Sequence, residues 1–379
     1  TTIDDPSAFF QTTTYTGGGA GTVVTNGGNS DLKPDWLWIK NRTDGYAHFV
    51  VDSSRNISYA QNSSNAPYLE TNSNPAENNN QNWMQSVNTD GFTTGIAEHI
   101  NNNAGSAFVA WQWKCNNGTR TTFSESGDNP GGGYQANTAA GFSIVDYTGT
   151  EATGTVAHGL GAVPKMIIVK DRDAARNWCV YHHQMGSPAI EKNMHLNTTA
   201  AVTDYNAEYW SGTNPTTSVF GLGNADDVNK DGEKFIAYVF AEKQGYSKFG
   251  SYTGNGNASG PFVYTGFRPA FVMVKGTDSA SEWQIYDNKR PGYNFPNYNL
   301  SPNNNTAEYT GESYHNMDLL SNGFRPLLTD VAVNKSKQTY IYMAFVCRRY
   351  SHCILRYSYS KSYSRYFIHC TKRNRWFRY

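Results

Sequence analysis

One segment recurs three times in this chain, and an internal repeat of that kind limits the fold before any motif is weighed. It reads Pro34-Asp-Trp-Leu-Trp-Ile-Lys40, Pro164-Lys-Met-Ile-Ile-Val-Lys170 and Pro269-Ala-Phe-Val-Met-Val-Lys275. A Tyr-Thr-Gly lies 17 to 19 residues before each Pro, at Tyr15, Tyr147 and Tyr252, and a Phe follows each Lys after 49 to 52 residues, at Phe92, Phe220 and Phe324. Fifteen or sixteen residues further on comes a closing run: Phe108-Val-Ala-Trp-Gln-Trp113, Phe235-Ile-Ala-Tyr-Val-Phe240 and Tyr340-Ile-Tyr-Met-Ala-Phe345. Four landmarks in one order, three times over, describe a module in three copies.

The runs are short, rich in β-branched and aromatic residues and apolar at successive positions, which suits strands covered on both faces. A leading Pro is tolerated because the first residue of a strand need not donate to the ladder. Turn clusters follow each Lys, at Asn41-Arg-Thr-Asp-Gly45, Asp171-Arg-Asp173 and Gly276-Thr-Asp278. The next strands, His48–Asp52, Trp178–His182 and Trp283–Asp287, then complete hairpins. Helical periodicity is sustained nowhere, with the weakest exclusion near 66–81. The pattern predicts an all-β chain of three tandem antiparallel β-sandwich domains of one repeated type: copy A over 1–115, copy B over 141–247 and copy C over 248–346. Residues 116–140, with Gly131-Gly-Gly133, form a Gly/Asn-rich connection or a peripheral strand. On this reading B and C are stiffly joined and A is more loosely coupled.

The 31 basic and 31 acidic residues balance, but nine of the basic ones and no acidic one lie in 347–379, leaving 22 against 31 in the preceding 346. An acidic body thus precedes a basic, out-of-pattern tail. No stretch has the roughly 20 apolar residues that span a bilayer, and the N-terminus shows no signal-peptide pattern. Cys115, Cys179, Cys347, Cys353 and Cys370 form neither a disulfide framework nor a Cys-x-x-Cys zinc pair, so reduced and mostly buried thiols are expected.

Asp227-x-Asn229-x-Asp231-Gly232 matches the first half of an EF-hand loop, yet its twelfth position is Tyr238, inside the closing strand, where a bidentate Glu is required. A turn is the simpler reading. His182 and His183 end a strand, where adjacent side chains point to opposite faces, and His158 opens a Gly-rich turn without a local carboxylate. Structural or solvated roles are expected for all three. Gly17-Gly-Gly19 and Gly131-Gly-Gly133 lack the helix and Lys-Ser/Thr that cradle phosphate. Asp173/Asp278 and Lys170/Lys275 recur, the Asp as turn caps. Trp36, Trp38, Trp111, Trp113, Trp178 and Trp283 occupy repeated strand positions, where core packing is the default. Loop aromatics outside the pattern, Tyr293, Phe295 and Tyr298, are the better candidates for recognition. No catalytic, cofactor or metal residues are assigned, and the chain is read as non-enzymatic.

Ile3-Asp-Asp-Pro-Ser-Ala-Phe-Phe-Gln-Thr12 and Asn29-Ser-Asp-Leu-Lys-Pro-Asp-Trp-Leu-Trp-Ile-Lys-Asn-Arg42 resemble repeat-containing virion structural proteins of marine tailed bacteriophages. His158–Lys170 and Lys248–Gly254 are similar to the later copies of that family, and the resemblance covers 1–345. It implies a virion structural protein, a tail fibre or host-contacting tail appendage, with other virion proteins as partners, host surface glycan as a ligand and, by analogy with fibres, a homotrimer. A capsid decoration or head-fibre protein is the alternative, and a glycan-degrading appendage enzyme the third reading. The basic tail admits a nucleic-acid arm, or zinc on Cys347, His352, Cys353, His369 and Cys370. A frameshift explains it more sharply. Val346-Cys-Arg-Arg349 can be encoded GTT-TGC-AGA-AGA, which one base later encodes Phe-Ala-Glu, the triplet at Phe240-Ala241-Glu242. The tail is then expected not to be part of the fold.

Overall fold

A computed structural model describes residues 3–19, 21–55, 67–79, 83–96, 103–291, 294, 297–311 and 315–346. Tyr293, Phe295 and the whole tail, with its frameshift and zinc readings, lie outside the described residues.

Each copy builds the same four-strand unit, ordered opening, closing, first hairpin and second hairpin strand, with every pair antiparallel. The opening strands are Phe10–Thr16, Phe142–Thr148 and Ser247–Thr253. The closing strands are Ala107–Trp113, Lys234–Phe240 and Thr339–Phe345. Trp36–Asn41 pairs with His48–Asp52, Met166–Asp171 with Cys179–His182, and Phe271–Gly276 with Gln284–Asp287, so the expected hairpins are present. A smaller outer sheet covers one face of each unit, and Phe92, Phe220 and Phe324 are its buried landmarks, paired with Val24, Val156 and Val263.

The landmarks have local physical causes. Tyr15, Tyr147 and Tyr252 stack on the first aromatic of their closing strands at centroid distances of 5.0, 5.1 and 5.0 Å. The hydroxyls of Tyr147 and Tyr252 donate to the carbonyls of Val228 and Val333, so a Phe there would leave each carbonyl without this donor. Lys40, Lys170 and Lys275 are buried, and each ammonium donates to two carbonyls, tying down the hairpin turn or a loop packed on it. Burial lowers their pKa values to about 7, 8 and 8.

Alternation along the inner strands explains why they are apolar on both faces. In copy A, Leu37, Ile39 and Phe108 face the outer sheet, where they pack with Phe49, Trp83 and Phe92. Trp36, Trp38, Trp111 and Trp113 face the other way, into a second core that also contains Phe142, Tyr238 and Phe240 of copy B and Phe271 and Phe345 of copy C. The three sandwiches are therefore not independent of one another: they share a central core. The looser coupling expected of copy A is not observed, because Trp36 lies 4.5 Å from Tyr238 and Phe10 lies 5.3 Å from Phe345, ring to ring. Thr121–Phe123 and Gly132–Asn137 in the connection extend the sheet of copy B as peripheral strands.

Candidate functional site

The polar chemistry of the chain concentrates where one copy meets the next, and three equivalent hydrogen bonds define these seams. Glu77 N of copy A donates to Arg172 O of copy B at 2.8 Å, Val202 N of B to Thr277 O of C at 3.0 Å, and Glu308 N of C to Arg42 O of A at 2.8 Å. The first residue of each second-hairpin segment adds a contact. Trp178 Nε1 donates to Glu70 O at 2.8 Å, Trp283 Nε1 donates to His195 O at 3.0 Å, and His48 faces the carbonyl of Ser301. A to B, B to C and C to A are thus the same head-to-tail contact, which closes after three steps into a pseudo-threefold ring within one chain.

Side chains at the strand end complete each seam. Asp52 accepts from the Tyr238 hydroxyl at 2.6 Å and pairs with Arg55 at 2.6 Å; Arg55 also reaches Glu77, which pairs with Arg172. Asp287 accepts from Trp111 Nε1 at 2.9 Å and pairs with Arg290 at 2.7 Å; Arg290 reaches Glu308, which pairs with Arg42. Arg55 and Arg290 are wholly buried side chains. Burial opposes their charge, and Asp52 with Glu77 and Asp287 with Glu308 together more than offset it, so both guanidiniums are held above their ordinary pKa. Copy B has His182 at this position, with Nε2 3.2 Å from Tyr342 O and Nδ1 accepting from Gln184 N. Burial lowers its pKa to about 3, so this position of the third seam is neutral.

The expected opposition of His182 and His183 is not found. The strand ends at His182, alternation stops there, and both rings turn to copy C with centroids 5.2 Å apart; His183 Nε2 meets Phe249 O. His158 is buried in its turn, against Leu160 N and Thr216 O. The EF-hand-like residues diverge. Asn229 locks the loop through Ala152 O and Gly223 O, Asp231 lies on the exposed turn with Gly232 at φ +74°, and Asp227 turns toward Cys179 and His195. Asp173 and Asp278 accept from the first amides of the closing regions, Lys234 N and Thr339 N. The six repeated tryptophans are buried, and Tyr298 is half-buried beside Asn299.

Two features escaped sequence reading. Asp52-x-x-Arg55 and Asp287-x-x-Arg290 occupy the same place in two copies, twelve residues after the repeated Lys, which is the signal that marks them. Asp171 and Glu233 share a hydrogen bond that is bridged by Arg176 at 2.9 and 3.2 Å. Burial, with the hydrogen bond to Glu233, raises Asp171 to about 6 while Glu233 is lowered, so a proton taken up by the pair goes to Asp171. A cleft of about 350 Å³ lies on the B–C seam and is lined by Lys165, His183, Glu242 and Lys248. No helix among the described residues is long and apolar enough to cross a membrane.

Comparison with solved structures found a chain described under "The Triple Jelly Roll Fold and Turret Assembly in an Archaeal Virus", 10% identical over 89% of each chain, with a TM-score of 0.12. No curated protein sequence matches. A family model described as a domain of unknown function, DUF7483, matches residues 5–348, which takes in all three copies and stops two residues past Val346. The register places Phe345 opposite Phe271 as Phe240 lies opposite Met166, so the out-of-frame Phe-Ala-Glu would fall one residue late relative to copy B. With one model spanning the ring from its first copy to its last, the chain belongs to the DUF7483 family.

Proposed function

We propose that the chain is a structural component of a bacteriophage virion, a tail fibre or other host-contacting tail appendage, and not an enzyme. The observation that carries this reading is the closed ring: three modules joined by one repeated buried contact make a rigid body whose loops vary from copy to copy. The bacteriophage assignment itself rests on the resemblance of the N-terminal segments and the later copies. Support for a non-enzymatic role comes from the ionisable groups. The buried acids and bases of two seams neutralise one another, and Asp171 and Glu233 are hydrogen-bonded directly, whereas glycoside hydrolysis needs carboxyl groups about 5 Å or more apart around a sugar. Host glycan is the proposed ligand of the variable loops, Tyr298 included.

The capsid decoration or head-fibre reading is favoured by one specific observation, since a pseudo-threefold body has the symmetry of a threefold position on a capsid. A homotrimer is not needed to bury the central core, because the three copies of one chain already do so; its mass in solution decides between 42.1 kDa and three times that. Antibody labelling of virions separated into heads and tails tests the proposal. Label on tails supports the appendage, label on heads transfers the chain to the capsid, and label on neither overturns the virion assignment.

A further inference from the structure

We propose that Cys179, His195 and Asp227 of copy B form a site for a zinc-type transition-metal ion, with the Asn193 side chain or water as a fourth ligand. The three ligand atoms lie within 4.8 Å of one another, and His195 Nε2 is 3.9 Å from Asp227 Oδ2. Zn–S of about 2.3 Å and Zn–N or Zn–O of about 2.0 Å place tetrahedral ligand atoms roughly 3.3–3.6 Å apart. Closing the set therefore requires only a small inward rotation of His195 and Asp227. Three separate elements converge here: Cys179 opens the second hairpin strand, His195 is its ladder partner on the neighbouring strand, and Asp227 lies on the turn Asp226–Asn229.

A second observation comes from Asn193, two residues before His195 and so on the same face of the strand. Its side chain is fully buried, its Nδ2 lies 3.1 Å from His195 Nε2, and its Oδ1 has no hydrogen-bond partner among the described residues. A buried amide oxygen left in this way costs about 1–3 kcal/mol. Turning the amide over exchanges Nδ2 for Oδ1 and presents an oxygen to the cluster. The site reaches solvent on one side, where the His195 and Asp227 side chains are 14% and 20% exposed, and is closed on the other by the buried Cys179.

The donor set selects the class of ion. Thiolate and imidazole disfavour calcium and magnesium and suit zinc. One thiolate and one carboxylate balance two positive charges, so binding releases the Cys179 proton to solvent and buries a neutral complex. The ring itself does not require these residues. The ladder positions of Cys179 and His195 hold Phe49 and Glu70 in copy A, where the same backbone pair forms, and Gln284 and Ser301 in copy C, beside the Ile285–Leu300 bridge.

The test is metal content and cobalt spectroscopy on the purified full chain, loaded with Zn²⁺ or Co²⁺ alone and desalted. One equivalent of zinc and a thiolate-to-cobalt charge-transfer band are expected. Cys179→Ser should abolish the band, and His195→Gln and Asp227→Asn should each weaken binding at least about tenfold. Circular dichroism reports folding, and the two latter variants alter partly exposed groups if Cys179→Ser does not fold. A chain carrying Cys347→Ser, Cys353→Ser and Cys370→Ser should keep the band. Zinc retained equally by His195→Gln and Asp227→Asn, or a band lost with the tail cysteines and kept without Cys179, overturns the proposal.

Discussion

Replacing Phe345 by Ala should destabilise the three copies together and not copy C alone. The ring lies 5.3 Å from Phe10 and 5.7 Å from Trp113 of copy A, 6.1 Å from Phe240 of copy B, and 6.0 and 6.3 Å from Phe249 and Phe271 of its own copy. Phe345 is 1% exposed, so its removal leaves a cavity walled mainly by aromatic rings with little freedom to collapse. Phe to Ala in such a core costs about 3–5 kcal/mol, and the stiff walls place this case near 4. Urea unfolding followed by tryptophan emission, which reports mainly copy A, and by amide exchange within copy C, gives the measurement. The midpoint should fall with the slope unchanged, and the two probes should coincide. A variant in which copy C opens while the tryptophans of copy A keep their native emission, or a loss below about 1 kcal/mol, would refute the shared core.

Asp287→Ala should cost about 3 kcal/mol in the same assay, because it leaves the buried Arg290 with Glu308 alone and deprives Trp111 Nε1 of its acceptor. Asp52→Ala should cost a similar amount, since it leaves Arg55 with Glu77 at 3.2 Å and removes the acceptor of the Tyr238 hydroxyl. His182 supplies a pH dependence whose sign follows from its folded pKa of about 3. Between that value and an unfolded pKa near 6.5 the unfolded state binds more protons, so its contribution to stability is full above about pH 6.5 and falls by about 1.4 kcal/mol per pH unit on acidification. His182→Gln should flatten the stability profile between pH 6.5 and 4.5, and an unchanged profile would remove His182 as its source. Deleting 347–379 should leave the unfolding midpoint unchanged, as expected if the tail follows a frame change; a loss above about 1 kcal/mol would make it part of the fold.

The sequence made the modules legible and hid how they assemble. Within a module the determinants are local in kind: an alternating apolar strand, a turn after a Lys, and a Tyr stacked one strand away. Each therefore repeats as a residue type, and the hairpins were readable from the landmarks, whereas the order of strands in the sheet was not. Only the backbone contact repeats across all three seams. Tyr238, Met343 and Trp111 occupy one position of the closing strand, and Asp52, His182 and Asp287 one position of the hairpin, so equivalent contacts are made by a carboxylate with a phenol, an imidazole with a carbonyl, and a carboxylate with an indole. A comparison of residue types sees no interaction common to all three seams, only the Asp-x-x-Arg shared by copies A and C. The inner strands nevertheless carried the needed hint, because they are apolar on both faces while each outer sheet can cover only one. The second face must meet another copy, and three copies in one chain satisfy that demand for all of them when the ring closes. Cys179, His195 and Asp227 stand 16 and 32 residues apart along the chain, spacings that match no motif. They meet only because the ladder sets His195 opposite Cys179 and the turn before the closing strand folds back over both, a juxtaposition fixed by pairing and not by sequence distance.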